Sequence, residues 1–465
     1  MLSEAMRQYC YSWPYTDLHD SQHWHAVQGK HSYVRDMPES LLDLAVDSQW
    51  PAFFPSPICL VTTADGANVA LEKVVGPAIV NRFPYILALS FCKQSLSERH
   101  HVRRIFTEML ERSGNVAVQF IPPGRNLNSA MNAIDSISEE HTCSRIDHSE
   151  LPTRTGVTNN APVFHSSYMV YEASLVKPCM DFEGIDIYSA PWIDVGSHRV
   201  YFLEINAIQL RQDIAEGRSQ IKWRSLPAWQ PQFKLQSPVP VKGSYVKDQQ
   251  YQKGYTTHYS FPTAGTTGFE ADSIEDGMAI KHLPPLLENQ IEVDNDRARW
   301  PCFFPASVGM ITTWKSSGIP NMMPCGSITV VARSPFTIAC CIAYAAINVR
   351  YAPRATLATI RQTGRFGCGV PFINDVIVDA IKYAGNISIA RDPEKIAHAG
   401  LEVEQSDWAP LLPALPVHFD CEVVAETRLG THIMFIGKVV GIRVRADATP
   451  SNPLEWCPWA DVVPV

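Results

Sequence analysis

Arg350 and Arg354 flank the start of a segment with helical character. Two guanidinium groups beside the free amides of a helix N-terminus can together hold a phosphate. Thr356 adds a hydroxyl close by. Upstream, Asn321-Met322-Met323-Pro324-Cys325-Gly326-Ser327 ends in three small residues, Cys325, Gly326 and Ser327, over which a ligand can approach backbone N–H groups closely. His432 follows Gly430-Thr431, and an imidazole is the side chain that gains and loses a proton near neutral pH. Plainer readings stand beside these. The arginines also fit a solvated basic face, and a histidine that opens a strand after a glycine turn also serves as a hydrogen-bonding cap.

The elements that must position these groups occur twice. Trp300-Pro301-Cys302-Phe303-Phe304-Pro305 repeats Trp50-Pro51-Ala52-Phe53-Phe54-Pro55, and in each case a short apolar run ending in Thr-Thr follows. The two headings lie 250 residues apart, as do Gly114 and Gly364, each at the end of a helical stretch. Gly196-Ser197-His198 parallels Gly430-Thr431-His432 at a separation of 234, so the earlier copy carries sixteen extra residues in between (250 − 234). Three anchors in one order indicate a tandem repeat.

Within the earlier copy, strands are expected at Ile58–Thr63, 74–80, 85–91, 116–121, 163–177 and 199–210, and a helix before Gly114. Val102, Ile105, Phe106, Met109 and Leu110 give that helix one apolar face. A polar span, 122–160, is expected to hold most of the excess length and a short helix near 129–137. In the later copy, strands are expected at 307–313, 328–331, 337–343 and 366–371, a helix at Pro353–Thr363 stopped by Gly364, and a final hairpin of 417–428 and 432–445. Consecutive strands with one mid-chain helix predict barrels rather than a doubly wound parallel sheet. The expected units are an arm (1–40), a first barrel (41–211), a connector (212–290), a second barrel (291–447) and a tail (448–465). His19, His23, His25 and His31 in the arm lack cysteine or acidic partners at metal-ligand spacing, so no metal is assigned. The arm is expected to pack on the first barrel. The connector spends Trp223, Trp229, Tyr245, Tyr251, Tyr255 and Tyr259, which predicts an ordered strap against both barrels rather than a flexible linker.

At 465 residues, with 46% hydrophobic and 18% charged, the chain has room for two ordinary cores. A net charge of −8 offers no general field for nucleic acid or an anionic membrane. Twelve scattered cysteines without a CxxC pair read as small buried hydrophobes of a reducing compartment. The opening residues carry no apolar core of signal-peptide length, and Phe336 to Ile347 is too short to span a bilayer. A soluble, cytoplasmic protein is expected.

Taken in order, Asn321 to Ser327, Ser334-Pro335, Arg350 to Thr356, Gly364-Arg365-Phe366 and Gly430-Thr431-His432 make Trp300 to Ala446 resemble the flavin reductase-like family of FMN-binding split barrels. A degraded version covers Trp50 to Leu210. The resemblance implies a mainly β fold with helices: two tandem Greek-key split β-barrels forming an intramolecular pseudo-dimer, with FMN near their interface. It assigns Asn321, Pro324, Cys325, Gly326, Ser327, Arg350, Arg354 and Thr356 to the cofactor and a catalytic place to His432. The family's aspartate before that histidine is Thr431 here and Ser197 in the earlier copy. Glu72, Lys73, Val74, Val75 and Gly76 stand where the later copy has its small-residue loop, and their bulk would crowd a flavin. Arg99, His100, His101, Arg103 and Arg104 keep a basic cluster there, either on a scaffold, which is preferred, or around a different anion. The implied activity is an oxidoreductase with NADH or NADPH as co-substrate. Its electrons would go to free flavin, a partner monooxygenase or a dedicated small-molecule substrate. A non-catalytic flavin- or haem-binding scaffold is the alternative, and a further homodimer remains open.

Overall fold

The computed structural model describes residues 24–26, 31–34, 58–82, 84–93, 104–122, 124–180, 186–188, 190–216, 218–223, 272–274, 277–282, 308–333, 335–344, 354–371, 375–445 and 460–464. Both Trp-Pro headings, Arg350, the cluster from Arg99 to Arg103, and most of the arm, connector and tail lie outside them. In chain order the strands begin with β1 (Trp24–Ala26) and β2 (His31–Val34), then β3 (Ile58–Asp65), β4 (Asn68–Val75), β5 (Ala78–Arg82) and β6 (Tyr85–Cys92). Next come β7 (Asn115–Phe120), β8 (Thr153–Thr155), β9 (Pro162–Phe164), β10 (Met169–Leu175), β11 (Cys179–Met180), β12 (Asp186–Tyr188), β13 (Trp192–Val195) and β14 (His198–Arg211). After β15 (Ser219–Trp223), β16 (Asp272–Ile274) and β17 (Met278–His282), the later copy supplies β18 (Gly309–Trp314), β19 (Pro320–Cys325), β20 (Ile328–Arg333) and β21 (Phe336–Ala343). It ends with β22 (Arg365–Val370), β23 (Val417–Leu429), β24 (His432–Arg445) and, in the tail, β25 (Ala460–Pro464).

The fold is mainly β, built from two antiparallel curled sheets with one connectivity. In the earlier sheet the strands lie in the order β4-β3-β7-β10-β14-β6-β5, and in the later one β19-β18-β22-β23-β24-β21-β20. Local chemistry explains the elements. β3 is rich in β-branched residues and buried from Ile58 to Thr63, and Gly66, at φ +62°, closes its turn into β4. Phe106, Met109 and Leu110 bury one face of the helix Arg104–Ser113, which stops at Gly114 (φ +70°). The later helix, Ala355–Thr363, stops in the same way at Gly364 (φ +66°). Helices Arg125–Ser136 and Asp375–Asn386 form a second matched pair, the latter without a counterpart in the sequence expectations.

Two expectations are corrected. The excess length of the earlier copy does not lie in 122–160. Met169 and Val417, opposite Phe120 and Val370, are 248 apart, whereas His198 and His432 are 234 apart. Fourteen of the sixteen extra residues (248 − 234) therefore fall between those points, in the stretch that carries the β11–β12 hairpin. The described part of the arm joins the second barrel rather than the first: β2 pairs with β24, placing His31 opposite Arg445. The described parts of the connector and tail are ordered by strand pairing, β17 with β14 and β15 with β25. Each copy's preceding hairpin thus extends the other copy's last long strand, and the segments that follow those strands pair with each other.

The copies share a core at their seam. Ala78, Val80, Ile86, Ala88 and Phe202 from the earlier one pack with Val331, Ala339, Cys341, Met434 and Ile436 from the later. Ser90 Oγ donates to the Val331 carbonyl (2.6 Å) and Thr329 Oγ1 to that of Gly76 (2.6 Å). Seven of the eight cysteines whose side chains are described are buried, as small hydrophobes would be. Inside the later barrel, a Cβ at Gly437 would stand 2.5 Å from Phe366 Cζ. Gly437→Ala is expected to cost about 1–3 kcal/mol through overpacking, read as a lower urea midpoint at unchanged m-value.

Candidate functional site

Three of the sequence-nominated segments meet at the C-terminal end of β21. The Cys341 N–H donates to the Ser327 carbonyl (2.9 Å), which ties in the turn after Cys325. The Arg354 N–H donates to the Ala343 carbonyl (3.1 Å), and Ala343 is the strand partner of His432. The entry to helix Ala355–Thr363 is therefore held one strand position from the histidine. A buried polar ladder secures the same helix from below. Asn321 Nδ2 donates to Thr356 Oγ1 (2.9 Å) and Thr313 Oγ1 (3.3 Å), and Thr313 bonds Thr359 (2.8 Å). The other end of the Asn321 amide, Oδ1, is buried without a partner, and turning the amide over would only exchange which end lacks one.

Gly326 and Ser327 form a half-buried turn, and Pro324 is half-buried on β19. Cys325 points inward, its thiol donating weakly to the carbonyls of Ser327 and Cys341, and burial pushes its pKa up to about 11. It offers backbone rather than thiolate chemistry. Arg350 lies outside the described residues, so only its partner Arg354 is placed, as the cap of Ala355–Thr363, where among the described residues no side chain bonds the free amides.

The residue that sequence reasoning missed is Lys395. It opens the short helix Lys395–His398, which packs on β19, the strand that also touches Ala355–Thr363. Lys395 is only 3% exposed, yet its ammonium makes no hydrogen bond or ion pair among the described residues. Burial first, and then the like charge of Arg354, lower its pKa to about 7 against a smaller opposing pull from Asp392. Asp392 does not pair with it, because that carboxylate accepts from Tyr383 Oη (2.8 Å) and the Glu394 N–H (3.1 Å) and bonds His398 Nδ1 (2.9 Å). A buried cation beside a second cation, at an uncapped helix N-terminus, is a site prepared for an anion. The available signal was the alignment of the copies, which sets Lys395 against Arg145 at the same 250-residue spacing.

His432 is 7% exposed and bound across the seam. Asn81 Nδ2 donates to the Pro84 carbonyl (2.6 Å), which orients the amide so that Oδ1 accepts. Asn81 Oδ1 then receives the Thr431 N–H (3.1 Å) and lies 2.9 Å from His432 Nδ1. Nδ1 therefore carries the proton, and Nε2 is the basic nitrogen of the neutral ring. In the other copy His198 bonds Ser197 (2.8 Å), and strand register sets Ala332 where Asn81 stands, so that position presents a methyl instead of an amide.

Residues 301–459 match the flavin reductase like domain. That match spans the later barrel. Solved structures similar to the chain include flavoredoxin of Desulfovibrio vulgaris (Miyazaki F), at 18% identity over 35% of this chain and 79% of that one, with a TM-score of 0.27. Flavoredoxin from Methanosarcina acetivorans aligns at 16% identity over 38% and 91%, with a TM-score of 0.29. A nitrilotriacetate monooxygenase component B homolog from Mycobacterium thermoresistibile aligns at 24% over 32% and 73%, with a TM-score of 0.27. No curated protein matches the chain. Within the flavin reductase like domain, Lys395, Arg354, Thr356 and the unpartnered end of Asn321 fit a ligand with an anionic tail and a hydrogen-bonding edge. Among the described residues no helix is long and apolar enough to cross a membrane, and no group of three or more His, Cys, Asp and Glu residues suited to a metal occurs.

Because the folded pKa of Lys395 lies below its unfolded value, the unfolded chain binds the extra proton between about pH 7 and the ordinary lysine range. Stability of the ligand-free protein should therefore gain a contribution from this residue as pH rises through that window. Lys395→Met should remove the gain and raise stability at pH 7, as read from urea midpoints at a series of pH values.

Proposed function

We propose that the chain is an FMN-dependent oxidoreductase whose later barrel holds the flavin at the seam with the earlier one. The observation that carries this is Lys395, a buried and unpartnered cation beside Arg354 at the start of Ala355–Thr363, inside a flavin reductase like domain. Arg354, Lys395, Thr356 and the helix amides would hold the phosphate, with Arg350 as a further candidate. Asn321 and the backbone of Pro324, Cys325, Gly326 and Ser327 would meet the ring. Bound FMN supplies hydride and electron transfer, with NADH or NADPH as the proposed donor.

The chain's own residues do the positioning. The ladder of Thr313, Asn321, Thr356 and Thr359 fixes the helix entry, so the phosphate groups are set before a ligand arrives. Asn81 holds the His432 ring in one tautomer, suited to accept or return a proton at a substrate heteroatom. The shared core supports reading the two barrels as a tandem duplication that supplies its own partner surface. Free flavin and a partner monooxygenase are both possible acceptors, and the long segments before and between the barrels favour a dedicated organic substrate. The tie between His432 and Asn81 favours one other reading, in which the histidine is structural and flavin is bound without turnover.

The absorption spectrum of the purified protein tests the proposal: flavin bands that bleach anaerobically with NADH or NADPH are expected, and a colourless protein, or one with a Soret band, would refute it. Arg354→Ala should weaken FMN binding about tenfold or more with the fold intact. His432→Ala should retain FMN while turnover falls on the order of a hundredfold; an unchanged rate would leave the histidine a purely structural role.

A further inference from the structure

The earlier barrel keeps the cations of this site and pairs them with its own acids, Arg145 with Glu72 in the interior and Arg104 with Glu108 at the surface. Arg145 stands 250 residues before Lys395, each opening a short helix, and both helices are followed by a residue at positive φ, Glu150 (+56°) and Gly400 (+78°). Arg145 is 1% exposed and fully engaged. Its Nη1 donates to the carboxylate of Glu72 and to the Leu71 carbonyl (3.1 Å), and its Nη2 to that of Ile137 (2.8 Å). The counterpart of Glu72 is Met323, because Leu71 faces Thr62 as Met322 faces Thr312.

The helix entry shows the same difference. In the first turn of Arg104–Ser113 the Ile105 N–H donates to Glu139 Oε1, whereas the residue 250 places on is Ile389. Arg104 pairs with Glu108 (2.7 Å), and the residue corresponding to Glu108 is Ala358. The cations are retained in both copies, as Arg104 and Arg145 or Arg354 and Lys395. The acids Glu72, Glu139 and Glu108 are replaced by Met323, Ile389 and Ala358. Of the acids gained beside Lys395, Asp392 in place of Thr142 is turned to Tyr383 and His398, and Glu394 in place of Ser144 is exposed and lies 3.5 Å from His398 Nε2.

We propose that the chain binds one phosphate-bearing ligand, in the later barrel, and that the equivalent site of the earlier barrel is closed by Glu72 on the buried guanidinium and Glu139 on the helix amide. The assignment of that ligand as a flavin rests on the function proposed above; the number and the place rest on the residues of the two barrels. A carboxylate already bonded to the buried guanidinium leaves it nothing to offer a phosphate. Among the described residues Lys395 has no such internal substitute.

Calorimetric titration of the full chain with FMN and, separately, with inorganic phosphate tests this. One equivalent of each is expected, with phosphate competing against FMN. Lys395→Met, which exchanges an unpartnered buried cation for an apolar chain of similar length, should fold as judged by circular dichroism and lose at least tenfold in affinity for both. Arg104→Ala should change neither. Two equivalents of either ligand, or undiminished binding in Lys395→Met, would overturn the proposal, as would no phosphate binding at all. Phosphate binding once and depending on Lys395 while FMN fails to bind would leave the proposal standing and remove the flavin. FMN binding once without dependence on Lys395 would do the reverse.

Discussion

A charge taken out of water must find an opposite one, and this molecule meets that demand in two ways on one scaffold. In the earlier barrel the guanidinium of Arg145 is enclosed with Glu72, and the site is complete within the protein. In the later barrel the ammonium of Lys395 is enclosed with Arg354 nearby, and among the described residues no acid bonds to it. Folding leaves that second region electrostatically unfinished, and an incoming anion finishes it. The polar ladder under Ala355–Thr363 keeps the unfinished region from relaxing, since Thr313, Asn321 and Thr359 are fixed to one another.

The architecture is nearly symmetric and the chemistry is not. Strand order, helix stops and seam contacts repeat, which gives each barrel a partner without a second chain. Once the partner is covalently guaranteed, each copy can specialise. Asn81 orients His432 across the seam, whereas Ala332 presents only a methyl at the related position. One face of the seam thus carries a fixed imidazole tautomer through an amide that the other lacks.

Much of the framework was legible in the sequence because it depends on local signals. The β-branched run of Ile58–Thr63, the apolar stripe of Phe106, Met109 and Leu110, and the stops at Gly114 and Gly364 each declare themselves within a few residues. Part of the site was legible too, since Asn321, Thr356 and Arg354 do converge. Lys395 was not, because a lysine in Pro393-Glu394-Lys395 looks like any solvated charge until packing buries it. The role of Glu72 was hidden for the opposite reason: its charge suggested crowding of a ligand, and only the long-range contact with Arg145 shows it turned inward. Strand exchange at the chain's beginning left no trace in periodicity, since β2 alternates in the same way whichever edge it joins.

That exchange ties the two ends of the polypeptide together. His31–Val34 is synthesised before any barrel strand, and its ladder partner, the far end of β24, is nearly the last to emerge. The early hairpin must therefore stay unsatisfied through almost the whole of translation, and the later sheet has an open edge until the hairpin returns to it. Contacts so distant in sequence close slowly, and bare strand edges recruit neighbours. A ribosome-bound intermediate of this chain is thus the form most exposed to aggregation, and removing the first three dozen residues, about the span of an ordinary affinity-tag trim, would leave that edge permanently uncovered.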